Sequence, residues 1–364
     1  MRCAVVGSGL AGFVGYQALR AAGVRPEEIA VWGDDDDPAG AWRPRAAAIR
    51  QRRMRSESDG HCHPASFPGL APREAWRRRS PRPLVATAFD RYRPTVDEFL
   101  RHVGELRARS GWDGSLVGRR AGRIHAVEGG FEIDGEGPFA HVLVATGHPG
   151  LALPEELAGD GRVVHAYEPH EYAARVTVVG AGMAAATEWL NALAAGAEVV
   201  SVRRREPLRR PLNVPRPLFS KRGLAQFHRA APADRAALLR DAGAPSYPAG
   251  REWDEPLARA AREGRFRVEP SVNGSDQVIC ATGFRKGYRH DALLARLVDD
   301  HDLERHDRWI VLAPDATVPA LTDERRTLAL AGVAAQWAYP AADTLMGMKY
   351  VARRFARRVT CRTR

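Results

Sequence analysis

The stretch Val5-Val6-Gly7-Ser8-Gly9-Leu10-Ala11-Gly12, VVGSGLAG, returns in altered form at Val178-Val179-Gly180-Ala181-Gly182-Met183-Ala184-Ala185, VVGAGMAA. Each copy follows an apolar run, CAVV or RVTVV, and leads into a helical pattern, LAGFVGYQALRAAG or MAAATEWLNALAAG. In that context the G-x-G-x-x-G/A spacing has a mechanical meaning. The first glycine makes a tight turn, the second lets backbone approach a pyrophosphate, and the third small residue lets the helix lie on its strand. The helix then offers unpaired N–H groups and its positive dipole end to phosphate oxygens. A single copy reads equally well as a plain strand-to-helix turn. Two copies predict two dinucleotide-binding units, at Gly7, Gly9 and Gly12 and at Gly180, Gly182 and Ala185.

A second signal repeats in step with the first. HVLVATGHPG ends a strand in Ala145-Thr146-Gly147, and QVICATGFRKG ends another in Ala281-Thr282-Gly283. Each unit therefore closes with a strand and an A-T-G turn, which places Gly147 and Gly283 beside the two sites. The predicted fold is α/β, with two Rossmann-like dinucleotide-binding domains, the second inserted into a discontinuous first. Residues 1–149 and 281–364 form the two parts of the first domain. Residues 150–280 form the second, with an inserted helical loop region at about 205–255. Late in the chain, TLALAGVAAQWAYPAADTLMGMKYVARRFARRV supplies a strand running toward Gly332 and a helix starting near Asp343.

Between these landmarks the pattern is coarser. The strand IAVW is followed by GDDDDPAGAWRPR, where Asp34 lies about twenty residues beyond the third glycine, the place of a ribose-binding acid. The same acidic run also reads as a solvated turn. PTVDEFLRHVGELRARSG predicts a helix with a Thr95/Glu98 capping box and an apolar face of Val96, Phe99, Leu100, Val103 and Leu106. From Arg119 to Thr146, short alternating stretches broken by EGG and DGEG predict an antiparallel meander whose last strand is HVLVATG.

Composition narrows the function classes. The chain has 364 residues, enough for two or three domains with substantial cores. No apolar run approaches the length of a membrane span, and the first residues enter a strand without the pattern of a signal peptide, so a cytoplasmic location is expected. Cys3, Cys62, Cys280 and Cys361 form no C-x-x-C pair and no metal-ligand spacing, so neither a dithiol centre nor a metal site is signalled. The net charge of +11 is almost all arginine, the lysines being Lys221, Lys286 and Lys349. It is scattered along the chain and does not by itself point to a nucleic-acid partner.

With both fingerprints and both A-T-G turns in place, the chain resembles the flavoproteins with two dinucleotide-binding domains, and among them the single-component flavin monooxygenases that include N-hydroxylating enzymes. The resemblance covers most of the chain. It implies that Gly7, Gly9 and Gly12 bind the FAD pyrophosphate and that Gly180, Gly182 and Ala185 bind NADPH. PAGAWR is similar to the family's G-G-x-W segment and brings in Gly40 and Trp42, the latter either beside the flavin or a core aromatic. AEVVSVRRR puts Arg203, Arg204 and Arg205 where the family reads a 2'-phosphate, a task suited to the planar guanidinium fork. The helix after Asp343 would point its N-terminus at the flavin, with Gly332 in the same wall. Gly161 and His165 are similar to a G-x-x-x-H stretch of the family.

The chain also departs from the family's pattern. The asparagine that faces the flavin in many relatives is missing from the segment after the tryptophan, which holds Ser56, Ser58, His61 and His63 instead. Asn213 is loosely similar to an asparagine loop of the N-hydroxylating branch. No Ser-His-Asp order or paired catalytic carboxylate stands out, as expected where a flavin carries the chemistry.

The resemblance implies an FAD-dependent, NADPH-consuming monooxygenase that uses molecular oxygen, through a flavin hydroperoxide, on a small soluble substrate. The oxidised atom is nitrogen, sulfur or carbon, an amine nitrogen being the one the N-hydroxylating branch suggests. Two other readings stay open: an NAD(P)H-dependent flavin oxidoreductase that passes electrons to an external acceptor, and a nucleotide-binding pseudo-enzyme.

Overall fold

The structure is a computed structural model that describes residues 2–54, 70–88, 92–210 and 214–361. Ser56, Ser58, His61, Cys62, His63 and Asn213 lie outside the described residues.

Two parallel sheets organise the chain. The first has the order β16-β6-β1-β2, built from β1 (Cys3–Val6), β2 (Ile29–Trp32), β6 (His141–Val144) and β16 (Thr327–Leu330). All four strands are buried along their whole length. That is the mark of a parallel sheet covered on both faces, where near-continuous apolar runs replace alternation. β1 pairs in register with both neighbours, Cys3 opposite Ile29 and His141. The strand β16 comes from the last part of the chain, far in sequence from β1 and β2.

The expected meander is shorter than its sequence suggested. Its strands are β3 (Ile124–Val127), β4 (Gly130–Ile133) and β5 (Glu136–Phe139), paired antiparallel. The last predicted meander strand, HVLV, is instead β6 of the parallel sheet. The physical reason is its burial: all four residues face protein, and its backbone pairs with β1 on one side and β16 on the other.

The second sheet has the order β12-β9-β8-β13-β7, from β7 (Val163–His165), β8 (Arg175–Val179), β9 (Glu198–Val202), β12 (Phe266–Glu269) and β13 (Gln277–Cys280). Short ladders join β10 (Leu208–Arg209) to β11 (Ser246–Tyr247) and β14 (Arg305–His306) to β15 (Trp309–Ile310). In both large sheets the fingerprint strand lies between the next strand in sequence and the strand that ends in A-T-G.

Helices cover the sheets. α1 (Leu10–Ala21) and α6 (Met183–Ala194) leave the two fingerprints, and α11 (Leu345–Thr360) packs along α1. α2 (Arg43–Ala48), α3 (Ala71–Arg77) and α4 (Arg82–Ala88) precede α5 (Val96–Ser110). α5 starts at the capping box read from sequence. The Glu98 N–H donates to Thr95 Oγ1 at 3.2 Å, and the Thr95 N–H donates to Glu98 Oε2 at 2.8 Å. Phe99 and Val103 bury its apolar face.

α7 (Lys221–Arg229) and α8 (Pro232–Ala242) send Leu224, Phe227, Ala236 and Leu239 into the same core cluster as the first sheet. α9 (Arg251–Arg262) instead joins Trp253 and Leu257 to the core of the second sheet. The helical segment that sequence placed with the second domain thus packs on both units. α10 (Ala292–His301) lies beside β3.

Candidate functional site

The two glycine turns are built alike. The Gly7 N–H donates to the Trp32 carbonyl at 2.7 Å, and the Gly180 N–H donates to the Val202 carbonyl at 2.9 Å. The Ala145 N–H donates to Val6 at 2.6 Å, and the Ala281 N–H donates to Val179 at 2.8 Å. Gly7 and Gly180 have φ of 118° and 135°, which L side chains rarely adopt. A Cβ on Gly7 would collide with the Ala145 carbonyl, and one on Gly180 would stand 2.5 Å from the Ala281 carbonyl oxygen. The A-T-G strand is therefore the wall against which each first glycine must lie flat.

The second glycines behave differently. A Cβ on Gly9 or on Gly182 would meet nothing within 4 Å, because both turns open on empty space at the first turn of their helix. Gly12 and Ala185 hold the third position. A Cβ on Gly12 would collide with the Gly7 carbonyl, and Ala185 is fully buried.

Both turns line one cleft of about 1920 Å³, through Gly7, Ser8 and Gly9 and through Gly180, Ala181 and Gly182. Gly147, Gly283, Gly332 and Asp343 line it too. Asp34 borders it with its carboxylate held by Arg120 Nε at 2.7 Å, which keeps its pKa low. Trp42 is both an aromatic packed against the core and part of the cleft wall. It lies edge-on to Phe99 with centroids 5.2 Å apart. Gly40 stands beside Asp35, whose carboxylate would collide with any side chain there. Arg203, Arg204 and Arg205 all border the cleft beyond β9. The Arg203 side chain is mostly buried, paired with Glu206 at 2.7 Å and lying over the Trp189 ring, with its Nε unpartnered. Arg204 is 89% exposed and only loosely held by Glu156 at 3.5 Å.

Between the two units the structure assembles a group that the linear pattern does not show. The residues following the two A-T-G turns, His148 and Phe284, stack face to face with ring centroids 4.1 Å apart. Tyr167 stacks on Phe284 at 5.1 Å, and the Arg45 guanidinium lies 4.9 Å from the Phe284 centroid. All four line the cleft. The linkers that carry them pair as well. The Ala152 N–H donates to the Gly283 carbonyl at 3.0 Å, the Arg285 N–H donates to the Gly150 carbonyl at 2.9 Å, and Thr282 Oγ1 donates to the Ala152 carbonyl. Burial, reinforced by Arg45 and Lys286, pushes the His148 pKa down to about 4, so the ring is neutral near pH 7. The repeat of A-T-G was the available signal; what it lacked was any sign that the two following rings meet.

His165 closes the same junction. Its Nδ1 accepts the Tyr167 N–H at 3.1 Å, so its Nε2 carries the proton that it donates to the Gly283 carbonyl at 3.1 Å. Burial lowers its pKa and keeps it neutral. Asp343 Oδ1 is buried without a hydrogen-bond partner among the described residues, immediately before the Thr344 cap of α11. Burial raises the Asp343 pKa, against the pull of Lys286. Lys286, which lines the same cleft, is itself held below the usual lysine range by burial and Arg308.

The donor set suits two dinucleotides. Two open glycine turns at helix N-termini take pyrophosphates, an acid follows β2, and exposed guanidinium groups follow β9. Among the described residues no three His, Cys, Asp or Glu side chains gather to hold a metal ion, and no helix is long and apolar enough to cross a membrane.

No family model matches the chain, and no curated protein matches it in sequence. Solved structures do match its fold over its whole length. An ornithine hydroxylase from Pseudomonas aeruginosa is 18% identical, with a TM-score of 0.72 over 100% of this chain and 99% of that one. An ornithine N-hydroxylase from a Kutzneria species, solved with reduced FAD, NADP+ and L-ornithine, is 13% identical, with a TM-score of 0.73 over 100% and 99%. A bacillithiol disulfide reductase from Bacillus cereus is 13% identical, with a TM-score of 0.60 over 99% of each chain. The chain thus has the α/β fold of flavoproteins with two dinucleotide-binding domains, a fold found in both monooxygenases and reductases.

Proposed function

We propose that the chain is an FAD-dependent, NADPH-consuming monooxygenase that uses molecular oxygen to hydroxylate an amine nitrogen of a small substrate. The observation that carries this reading is the pair of open glycine turns that line a single cleft. A hydride donor and a flavin held by these turns share one space. The similarity in fold to two ornithine hydroxylating enzymes supports the reaction class.

In this reading residues 1–149 and 281–364 hold FAD, and residues 150–280 hold NADPH. The Gly9 turn and the N-terminus of α1 bind the FAD pyrophosphate, and Asp34 turns its carboxylate to the ribose. The Gly182 turn and α6 bind the second pyrophosphate. Arg204 and Arg205, with Arg203 behind them, clasp the 2'-phosphate. Bound FAD supplies the oxygen chemistry. The protein orients the two rings, excludes water with the Trp42 wall and the His148–Phe284–Tyr167 stack, and keeps His148 uncharged beside them.

The test is reduction with NADPH under anaerobic conditions, mixing with oxygenated buffer, and analysis of products formed from candidate amines with isotopically labelled oxygen. Labelled oxygen in a hydroxylamine product is expected. Fast reduction of an artificial acceptor with no oxygen in any product would establish the reductase reading, with which the fold shared with the disulfide reductase is compatible. A protein that binds no flavin would be the pseudo-enzyme.

A further inference from the structure

A second cavity of about 330 Å³ lies where α3, α4 and the start of α5 meet, and among the described residues it shares no lining residue with the large cleft. Among the described residues, four guanidinium-bearing side chains border it, Arg53, Arg78, Arg82 and Arg93, against one carboxylate, Glu98. That carboxylate is already engaged. It accepts the Thr95 N–H at 2.8 Å and pairs with Arg77 at 3.2 Å and Arg78 at 3.6 Å. Arg78 is further tied to Glu74. Arg93 lies 3.8 Å from Glu252, which leaves Arg53 and Arg82 without a carboxylate partner among the described residues.

Tyr92 makes the second, independent observation. It is 8% exposed and lines the same cavity, and its hydroxyl is buried without a hydrogen-bond partner among the described residues. A buried donor left unpaired costs free energy that an acceptor would recover. A phenol beside several guanidinium groups is a donor set for oxyanions: every group donates, and each hydrogen bond to a negative oxygen is charge-assisted.

We propose that this cavity binds a small oxyanion, a carboxylate or a phosphate, through the Tyr92 hydroxyl and the guanidinium groups of Arg53 and Arg82. Arg78 and Arg93 border the cavity but are already paired, Arg78 with Glu74 and Glu98 and Arg93 with Glu252. The site adjoins the large cleft through its own chain. Gln51 lines that cleft, and its side-chain amide donates to the Arg53 carbonyl at 2.9 Å. The proposal does not depend on which reaction the cleft performs.

The experiment is calorimetric titration of the intact protein, saturated with FAD and NADP+ so that the cleft's own phosphate sites are filled. Inorganic phosphate and malonate are titrated separately at constant ionic strength in chloride. One-to-one saturable binding of at least one is expected, and the one that binds identifies the source of the oxyanion. Tyr92→Phe, which removes a single oxygen, and Arg82→Ala, at an exposed position, should each weaken it about tenfold, the loss of one charge-assisted hydrogen bond. Arg204→Ala, in the cleft, should leave it unchanged. Absence of saturable binding by either anion, unchanged affinity in Tyr92→Phe and Arg82→Ala, or its loss in Arg204→Ala would each overturn the proposal.

Discussion

The carbonyl oxygen of Ala145 occupies the space that a side chain on Gly7 would need, and Ala281 stands in the same relation to Gly180. Each A-T-G strand and each glycine fingerprint are thus two halves of one steric fit. Their pairing in sequence has this fit as its cause. It also separates two kinds of glycine within each turn, one required by the protein and one open toward the cleft.

Substitutions should separate them experimentally. Gly7→Ala and Gly180→Ala force a Cβ onto a backbone carbonyl, so each should lower the melting temperature or prevent folding. Gly9→Val and Gly182→Val place their side chains in open space and should keep the fold. Gly9→Val is expected to be folded but colourless, and Gly182→Val to be yellow but slowly reduced by NADPH. Circular dichroism with flavin absorbance reads both, and the reverse pattern would exchange the two cofactor assignments.

Nucleotide choice should rest on the arginines after β9. If they clasp a 2'-phosphate, NADPH is preferred to NADH by roughly ten- to a hundredfold, the worth of one charge-assisted interaction. Arg204→Ala should remove most of that preference without loss of stability, since Arg204 is almost fully exposed. Arg203→Ala should do the same while also lowering stability, because Arg203 packs over Trp189. Steady-state kinetics with both nucleotides decide the matter; equal use by the unaltered protein would refute the assignment.

His148 makes stability depend on acidity in a defined direction. Its pKa falls from 6.5 to about 4 on folding, so between those values the unfolded chain binds the proton more readily. The contribution is complete above about pH 6.5 and is lost as pH falls toward 4. At about 1.4 kcal/mol per pH unit its ceiling is about 3 kcal/mol. His148→Phe, which keeps the stack on Phe284, should flatten the acid limb of the melting-temperature profile. An unchanged limb would show that the histidine is protonated at no cost in the folded protein.

The capping box of α5 offers a local test. Thr95→Ala removes the acceptor for the Glu98 N–H and should cost about 1 kcal/mol. The loss should exceed that from Arg25→Ala, which breaks only surface ion pairs, in urea denaturation.

Local sterics made much of this protein legible from its residues alone. Two strand-glycine-helix units, two A-T-G exits and a capped helix at Thr95 are each decided within about fifteen residues, by what a turn or a helix end allows. What the strand HVLV would pair with was not local. Its alternation could not be read over four residues, and only the packing of β1 and β16 on its two edges placed it in the parallel sheet. The packing of α7 and α8 on the first core has the same character, since an apolar face does not name its partner. The stack of His148 on Phe284 and the unpaired hydroxyl of Tyr92 lie further beyond the sequence. Each depends on segments brought together by the fold, and burial, which sets their protonation and hydrogen bonding, exists only once the chain has closed around them.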